Sequence, residues 1–213
     1  MTARSSSGGG VAGSVSLGTN YNGDLIELVL VNFTNSTVPS IPTGYTDCGS
    51  ANDSTNGFAM RIVRKVSSGS ESMPSLTNTT HLCYVVYQGI DATNQISNVL
   101  GQASTTANTS ASYSGVVSYP DPGVDWVGTV YIGKNSAGVP TAPTSMSAVV
   151  NDTSGGYIQV WDSNAALSSY SFNSKAISAS SAWITKTYVI RAGSSGGPGA
   201  GTPTNLFFGA VRP

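Results

Sequence analysis

Nucleophilic catalysis by a serine or a cysteine would need a histidine as the base, and this chain of 213 residues has a single histidine, His81. His81 begins the apolar run HLCYVVYQ, which favours a structural or surface histidine over a catalytic one. The segment Gly193–Gly197, GSSGG, formally matches the G-x-S-x-G motif, but that motif needs a helix after it, and Pro198 and Gly199 follow here. Neither feature predicts a hydrolase.

The ten acidic side chains are too scattered to indicate a catalytic pair. Glycosidases need two carboxyl groups that face each other across a defined gap, and no spacing in this chain marks such a pair. Asp121 with Asp125, and Asn151 with Asp152, could contribute to calcium loops, but calcium takes about six or more oxygen ligands and these clusters are too small. Turn formation explains them. We therefore expect a protein that is not an enzyme and that carries no metal ion or other cofactor.

Aromatic side chains are the remaining candidates for binding a partner. Trp126, Trp161 and Trp183 lie in predicted strands, where tryptophans form the core, anchor an interface or present a platform on which a sugar ring stacks. Tyr45 lies in a predicted loop. We take Tyr45, Trp126 and Trp161 as the candidate interface residues. The sequence does not decide whether their rings point inward or outward.

The chain is poor in charge for a globular protein. Charged residues make up 9% of it, against about 25% in typical domains, so its polar surface must consist of Ser, Thr, Asn and Gly. These residues favour strands and turns over helices, and they predict an all-β protein. The net charge of −1 gives no electrostatic footprint for nucleic acid or for an anionic membrane, so we expect neither as a partner.

No segment has the features of a secretory signal or a membrane span. The N-terminal sequence MTARSSSGGGVAG lacks an apolar core, and no run approaches the roughly 18 apolar residues of a spanning helix. We therefore expect synthesis in the cytoplasm and reduced cysteines, with Cys83 as a buried apolar residue. A bridge between Cys48 and Cys83 stays open at this point, because the sequence does not give their separation.

Six apolar segments predict strands, and the first is apolar at nearly every position, which predicts a strand covered on both faces. The Ser/Gly-rich residues 1–13 are expected to form a flexible N-terminal arm, and residues 14–213 a single β-sandwich domain. The polar segment Ser97–Ser112 predicts a long low-complexity connection. The six predicted strands are Asp24–Phe33, Phe58–Val66, His81–Gln88, Asp125–Ile132, Tyr157–Trp161 and Ala182–Arg191, with shorter ones at Tyr170–Phe172 and Leu206–Val211.

A short phrase occurs once in each half of the chain. Val38–Thr43 is VPSIPT and Val139–Thr144 is VPTAPT, and in both halves an apolar strand and an Asn-Ser pair precede the phrase. Prolines fix φ, favour extended neighbours and cannot sit in a central strand, so we expect a stiff corner that carries the chain from one sheet to the other. The two corners predict two pseudo-repeated halves of one jelly-roll-like β-sandwich of roughly eight to ten strands.

The segment Asn22–Ile96 resembles a recurrent pattern in tailed-phage virion proteins. Its marks are NGDLIELVLVNF, then PSIPTGYT, then FAMRIVRKVSSGSES, and an apolar strand that ends in YQGID. The second half matches only in style, and Tyr45 stands where the pattern usually has tryptophan. The resemblance implies a β-sandwich virion component without catalysis, and it leaves open whether the protein sits on the head or on the tail.

The resemblance and the composition together predict a non-enzymatic virion structural protein. The leading expectation is a capsid decoration or cement protein that binds the major capsid protein and other copies of itself. A trimer is expected because icosahedral heads offer many local three-fold positions, which is an argument from the resemblance alone. The alternative is a tail-tip or fibre module that binds carbohydrate or a receptor. In either case the protein would be located in the virion.

Overall fold

The computed structural model describes residues 3–90, 96–113, 125–136, 138–167 and 174–193, and within them it contains strands and no helix. The all-β class predicted from the composition is therefore confirmed. The predicted short strands Tyr170–Phe172 and Leu206–Val211 lie outside the described residues, as does most of the segment GSSGG. The strands are β1 Ala3–Val11, β2 Leu25–Asn32, β3 Thr46–Asp53, β4 Phe58–Val66, β5 His81–Gln88, β6 Ile96–Ala111, β7 Trp126–Gly133, β8 Ser147–Asp152, β9 Tyr157–Asp162 and β10 Lys175–Ile190.

Each half of the chain forms one five-stranded antiparallel sheet, and the two sheets pack face to face as a β-sandwich. The first sheet has the strand order β1-β5-β2-β4-β3, and the second has β6-β10-β7-β9-β8. Raising each strand number of the first order by five gives the second order, which confirms the two pseudo-repeated halves. The jelly-roll part of the prediction is not confirmed, because a jelly roll exchanges strands between its two sheets and none of the strands described here does so.

Strand β2 is buried along its whole length, as its apolar sequence predicted. Its side chains alternate between the two faces of the sheet. Val29 and Val31 point into the core between the sheets. Leu28 and Leu30 point to the outer face, where they belong to a second apolar cluster. Both faces of β2 are therefore covered, and this is why its sequence lacks the alternation of a strand with one face in water.

Two connections cover the outer face of the first sheet. β2 and β3 run parallel with β4 between them, so residues 33–45 must return along the length of the sheet, and residues 67–80 must do the same between β4 and β5. The returning loops place Tyr45, Met73 and Leu76 on the outer apolar cluster. These loops form a covering layer that removes the central strands from water.

The two V-P-x-x-P-T phrases lie at corresponding positions of the two sheets. The first lies between β2 and β3, and the second lies between the equivalent strands β7 and β8. Both phrases end in the same turn: the amide of Tyr45 donates to the carbonyl of Pro42 at 3.1 Å, and the amide of Met146 donates to the carbonyl of Pro143 at 3.2 Å. The predicted correspondence of the two phrases is confirmed.

The predicted role of the phrases is wrong. Each phrase connects two strands of the same sheet, so neither carries the chain from one sheet to the other. Each phrase instead forms a backbone hydrogen bond near the start of the last strand of its half, which is β5 in the first half and β10 in the second. The Ser40 amide donates to the Thr77 carbonyl at 3.1 Å, and the Thr141 amide donates to the Ala176 carbonyl at 3.0 Å. Proline has no N–H to donate to the hydrogen-bond ladder of a sheet. The phrase is therefore better suited to an extended loop that crosses the outer face of a sheet than to a strand within it.

The predicted flexible arm is instead the edge strand β1, which pairs antiparallel with β5. Its glycines allow a close approach to neighbouring side chains. A Cβ on Gly8 would lie 2.7 Å from Cε1 of Tyr84, and a Cβ on Gly9 would lie 2.7 Å from Sγ of Cys83. Composition predicted flexibility because Gly and Ser bury little apolar area, but backbone pairing with β5 holds the segment in the sheet. The predicted boundary between arm and domain therefore does not separate β1 from the sandwich.

Replacing Gly9 by valine tests the position of β1. A Cβ at Gly9 would also lie 2.8 Å from Cγ1 of Val150 in β8, so a larger side chain must push the rims of the two sheets apart. We expect Gly9→Val to lower the free energy of unfolding in urea by about 1–3 kcal/mol, as overpacking typically does. The matched change Val11→Ile also adds bulk, at a position of the same strand that is 47% exposed, and should change it by less than about 0.5 kcal/mol. Equal effects of the two changes would show that β1 does not pack against the second sheet.

Two further expectations about connections are wrong. The segment Ser97–Ser112, predicted as a low-complexity connection, forms nearly all of β6. The loop that was expected between the first two predicted strands, around Tyr45, contains β3, and β8 was not predicted either. β3, β6 and β8 lie at the edges of their sheets, where a strand needs few apolar residues because its outer side faces solvent.

Both cysteines are free thiols. Cys48 lies in β3 and Cys83 in β5, and β2 and β4 separate these two strands in the sheet. Neighbouring strands are about 4.8 Å apart, so the two Cα atoms exceed the limit of about 7 Å for a disulfide. Cys83 is fully buried between the sheets, as predicted, and burial raises the pKa of its thiol.

Candidate functional site

Trp126, a predicted interface residue, lies inside the sandwich. It begins β7 on the inner face of the second sheet and is 6% exposed. Its ring meets the ring of Tyr87 edge-on, with the centroids 6.4 Å apart. This is a favoured geometry for buried aromatic pairs. Trp126 therefore joins the two halves of the chain and does not face a partner.

Trp161 points to the outer face of the second sheet, but it is covered there and is 2% exposed. The ring of Tyr113 meets it edge-on at a centroid distance of 6.0 Å. Trp183 belongs to the same outer cluster, and its indole N–H donates to Oδ1 of Asn108 at 3.1 Å. A sugar ring can stack only on an exposed aromatic face, so these tryptophans form no platform for a carbohydrate in this structure.

Tyr45, the third predicted residue, is half-buried in the loop layer over the first sheet. The ammonium group of Lys65 lies 5.9 Å from its ring centroid, within the range of a cation–π contact. Burial, and the nearby charge of Glu71, raise the pKa of the Tyr45 hydroxyl to about 12. Tyr45 is thus a covering residue of the loop layer, as is its equivalent Met146 in the second half. The three candidates lie in three separate places and form no common surface.

His81 is packed as a structural histidine. Its Nδ1 lies 3.0 Å from Oγ1 of Thr80, and its ring meets the ring of Phe33 edge-on at 5.3 Å between centroids. Gly155 of the second half lies directly against the ring, where a Cβ would not fit. A catalytic base would need a nucleophile and an orienting carboxylate within hydrogen-bond reach. The Thr80 hydroxyl is within reach, but it is hydrogen-bonded to the backbone of Val31 and Phe33, and no carboxylate among the described hydrogen bonds orients the ring.

A strongly perturbed carboxyl group belongs to Glu27, which was not among the residues predicted from the sequence. It is the one charged residue of the apolar strand β2, it lies on the inner face, and it has no exposed surface. The hydroxyl of Tyr188 in the opposite sheet donates a hydrogen bond to its Oε1. Gly128 makes this contact possible, because a Cβ at that position would occupy the space of the Tyr188 ring.

Burial raises the pKa of Glu27 from 4.5 to about 8; the Tyr188 hydrogen bond opposes this shift and the nearby charge of Asp162 adds to it. Glu27 is therefore mostly a neutral acid at neutral pH. A carboxyl group with such a pKa is suited to proton transfer in an accessible site. Glu27 has no accessible surface, so it cannot touch a substrate in this fold. We assign it to the interior of the sandwich, where the neutral form avoids the free-energy cost of a buried charge.

The rim between β3 and β6 carries an open cavity of about 260 Å³ with one cationic side chain, Lys186. Burial lowers the pKa of Lys186, and the charge of Asp47 opposes that shift. A single ammonium group without a second converging polar side chain does not define a substrate site. The cavity is lined by Ala51, Gly101, Gln102, Ala103 and Lys186.

No family model, curated protein or solved structure matches the chain. Within the described ranges, no helix is long and apolar enough to cross a membrane. The same residues include no group of three or more His, Cys, Asp or Glu side chains that could hold a metal ion. The proposal for the function therefore rests on the features of the chain itself.

Proposed function

We propose that this chain is a non-enzymatic structural protein of a tailed-phage virion, a capsid decoration or cement protein bound to the major capsid protein. The observation that carries the proposal is that the residues best able to do chemistry pack the interior. The histidine, the carboxyl group with the raised pKa and two candidate tryptophans are each less than 10% exposed. These residues are Glu27, His81, Trp126 and Trp161.

The surface left to a partner is polar and nearly neutral. Charged residues make up 9% of the chain, and the exposed edge strands are rich in Ser, Thr, Asn and Gly. Such a surface can be covered by a protein shell without leaving a buried, unpaired charge. The resemblance of Asn22–Ile96 to virion proteins supports a shell as the partner.

The fold presents edges to a partner and keeps its faces covered. Loop residues cover the outer face of the first sheet. On the outer face of the second sheet, large side chains form a buried apolar cluster, and Met146 packs against it. A sandwich with largely covered faces and polar edges that carry few charges is suited to holding neighbouring subunits together. It is less suited to enclosing a small ligand, which needs a concave apolar pocket.

Binding to isolated heads tests this function. Heads prepared without the protein should take up the purified chain until a fixed ratio to the major capsid protein is reached, as measured by sedimentation and gel densitometry. Heads of an unrelated phage serve as the control and should take up none. Failure of the cognate heads to take up the chain would contradict the proposal.

A glycan array separates this function from that of a carbohydrate-binding tail module. We expect no specific glycan signal, because Trp126 and Trp161 are covered. A reproducible signal for one glycan class, lost when an exposed aromatic such as Tyr21 is replaced by alanine, would favour the tail module instead.

A further inference from the structure

The four edge strands of the sandwich differ in how well they are protected against pairing with another strand. Natural proteins protect such edges with charged residues, prolines, bulges or short lengths. β1 contains Arg4, β3 contains Asp47 and Asp53, and β8 is six residues long and contains Asp152. β6 is 16 residues long and contains neither a charged residue nor a proline. All four edge strands have a register irregularity with their neighbour, and the β6–β10 pair has three, so bulges do not single out any one edge as open. By composition and length, β6 is the least protected of the four edges.

β6 is also exposed along its outer side. It pairs with β10 and with no other described strand. Leu100 is 40% exposed, and Gly101, Gln102 and Ala103 are exposed as well. An uncharged strand with an open side offers its outward N–H and C=O groups to a partner strand.

Two side chains of the first sheet mark the limits of the open segment. Arg64 donates to the carbonyl of Ile96 at 3.0 Å, and Asn56 donates to the carbonyl of Thr105 at 2.6 Å. The backbone between these two points, residues 97–104, receives no described hydrogen bond from outside the β6–β10 pair. This open segment is about as long as the β2–β5 ladder inside the sandwich, which has seven residue pairs.

A second copy of this chain is the occupant that fits the segment. Two identical uncharged strands can pair antiparallel about a two-fold axis without placing like charges opposite each other. The same pairing by β1, β3 or β8 would place charged residues of the same sign on both sides of the axis. A partner of opposite charge would gain nothing from β6, because the strand carries no charge to attract it.

We propose that β6 of one molecule pairs antiparallel with β6 of a second copy, so that one continuous sheet runs from β8 of the first molecule to β8 of the other. A two-fold pair is a closed, isologous assembly that uses the same surface on both molecules. It takes the place of the trimer expected from the virion resemblance, for which no described feature provides a three-fold contact. The inference goes beyond the proposed function, since it requires no capsid.

Charges placed on β6 test the pairing. Leu100 and Gln102 lie opposite Thr187 and Thr185 of β10, on the outer face of the second sheet. We expect the purified natural chain to sediment as a dimer, and the double variant Leu100→Lys/Gln102→Lys to dissociate with a dissociation constant raised at least about tenfold, because like charges then meet across the axis. Both substituted positions are exposed, so the melting temperature of the variant monomer should stay close to that of the natural chain.

A matched double variant controls for the added charge. Ala148→Lys/Asn151→Lys adds the same two lysines at exposed positions of β8, the other edge of the same sheet. This variant should remain a dimer. A natural chain that sediments as a monomer or a trimer, or a dimer that survives the β6 lysines, would overturn the proposal. A dimer lost equally in both double variants would show that net charge controls association, and would overturn it too. Head binding is measured separately, so failure of the dimer leaves the test of the virion role intact.

Discussion

Above about pH 8, the variant Glu27→Gln is expected to be more stable than the natural chain by on the order of 4 kcal/mol, whereas near pH 4 the two should be about equally stable. Glutamine keeps the size and the polar end of the side chain but cannot ionise. The variant therefore removes the cost of a buried negative charge and little else.

The direction of this effect follows from the raised pKa of Glu27. The carboxyl group has a pKa of about 8 in the folded chain and near 4.5 in the unfolded chain. Between these values the folded chain holds a proton that the unfolded chain has released, so the natural protein loses stability as the pH rises through this window. The loss is complete above the folded pKa. Tyr188 and Asp162 face Glu27 across the core and bring no positive charge. Arg64 is the cross-strand neighbour of Glu27 in β4, and it directs its guanidinium group to the carbonyl of Ile96.

Urea unfolding at a series of pH values between about 4 and 9 measures the effect. Glu71→Gln is the matched control, because the ion pair with Lys65 and the hydrogen bonds of Ser68 lower the pKa of Glu71 to about 2. The contribution of Glu71 is lost as the pH falls toward 2, so this control should keep the decline of stability between about pH 5 and 8. A decline of the same size in Glu27→Gln and in the natural chain would show that Glu27 is not the group responsible.

Replacing either candidate tryptophan by alanine is expected to reduce stability and to leave binding surfaces unchanged. Trp126 is 6% exposed and Trp161 is 2% exposed. Removal of such a side chain leaves a cavity and typically costs about 3–5 kcal/mol. Trp126→Ala weakens the contact between the two sheets, and Trp161→Ala weakens the outer cluster of the second sheet.

Thermal unfolding and head uptake should be measured on the same variants. The control is Tyr21→Ala, since Tyr21 is 59% exposed and its removal should change the free energy of unfolding by less than about 0.5 kcal/mol. At a temperature where the tryptophan variants are folded, they should bind heads as well as the natural chain does. A folded Trp161→Ala with normal stability and lost binding would place Trp161 at an interface and contradict its burial.

Inner strands and edge strands differ in how well the sequence predicts them. All six inner strands were predicted, because a strand with neighbours on both sides is rich in Val, Ile, Leu and aromatic residues. All four edge strands were missed: β1, β3, β6 and β8. An edge strand has solvent on one side, so its hydrophobic pattern is weak and its composition resembles that of a loop. Hydrophobic patterning alone could not have identified them in this chain.

The internal repeat was predictable from a short phrase, but the path of the chain was not. The shared proline spacing correctly predicted that the two phrases are structurally equivalent, since both end in the same turn. Whether a proline-rich segment changes sheets or crosses one sheet depends on strand order, which the sequence does not encode locally. The two halves make equivalent contacts in the sandwich: β1 lies against β8, and its counterpart β6 lies against β3, the counterpart of β8. The halves are thus related approximately as the subunits of a two-fold dimer are.

The burial of the candidate side chains was harder to predict than the strands. Residue types pointed to Trp126 and Trp161, but burial depends on which face of a strand is covered by loops that are distant in sequence. Glu27 did carry a local signal, because it is a single carboxylate in an otherwise apolar strand. A charge in such a strand indicates either a salt bridge or a neutral acid in the core, and here it is a neutral acid.

The central claim is that this chain is a virion protein of the head. Gold-labelled antibody against the purified chain, applied to intact particles of a tailed phage that carries the gene and viewed by electron microscopy, tests that claim most directly. We expect label distributed over the head and lost from particles that lack the gene. Label confined to the tail tip, or particles that carry no label while the infected cell contains the protein, would contradict it.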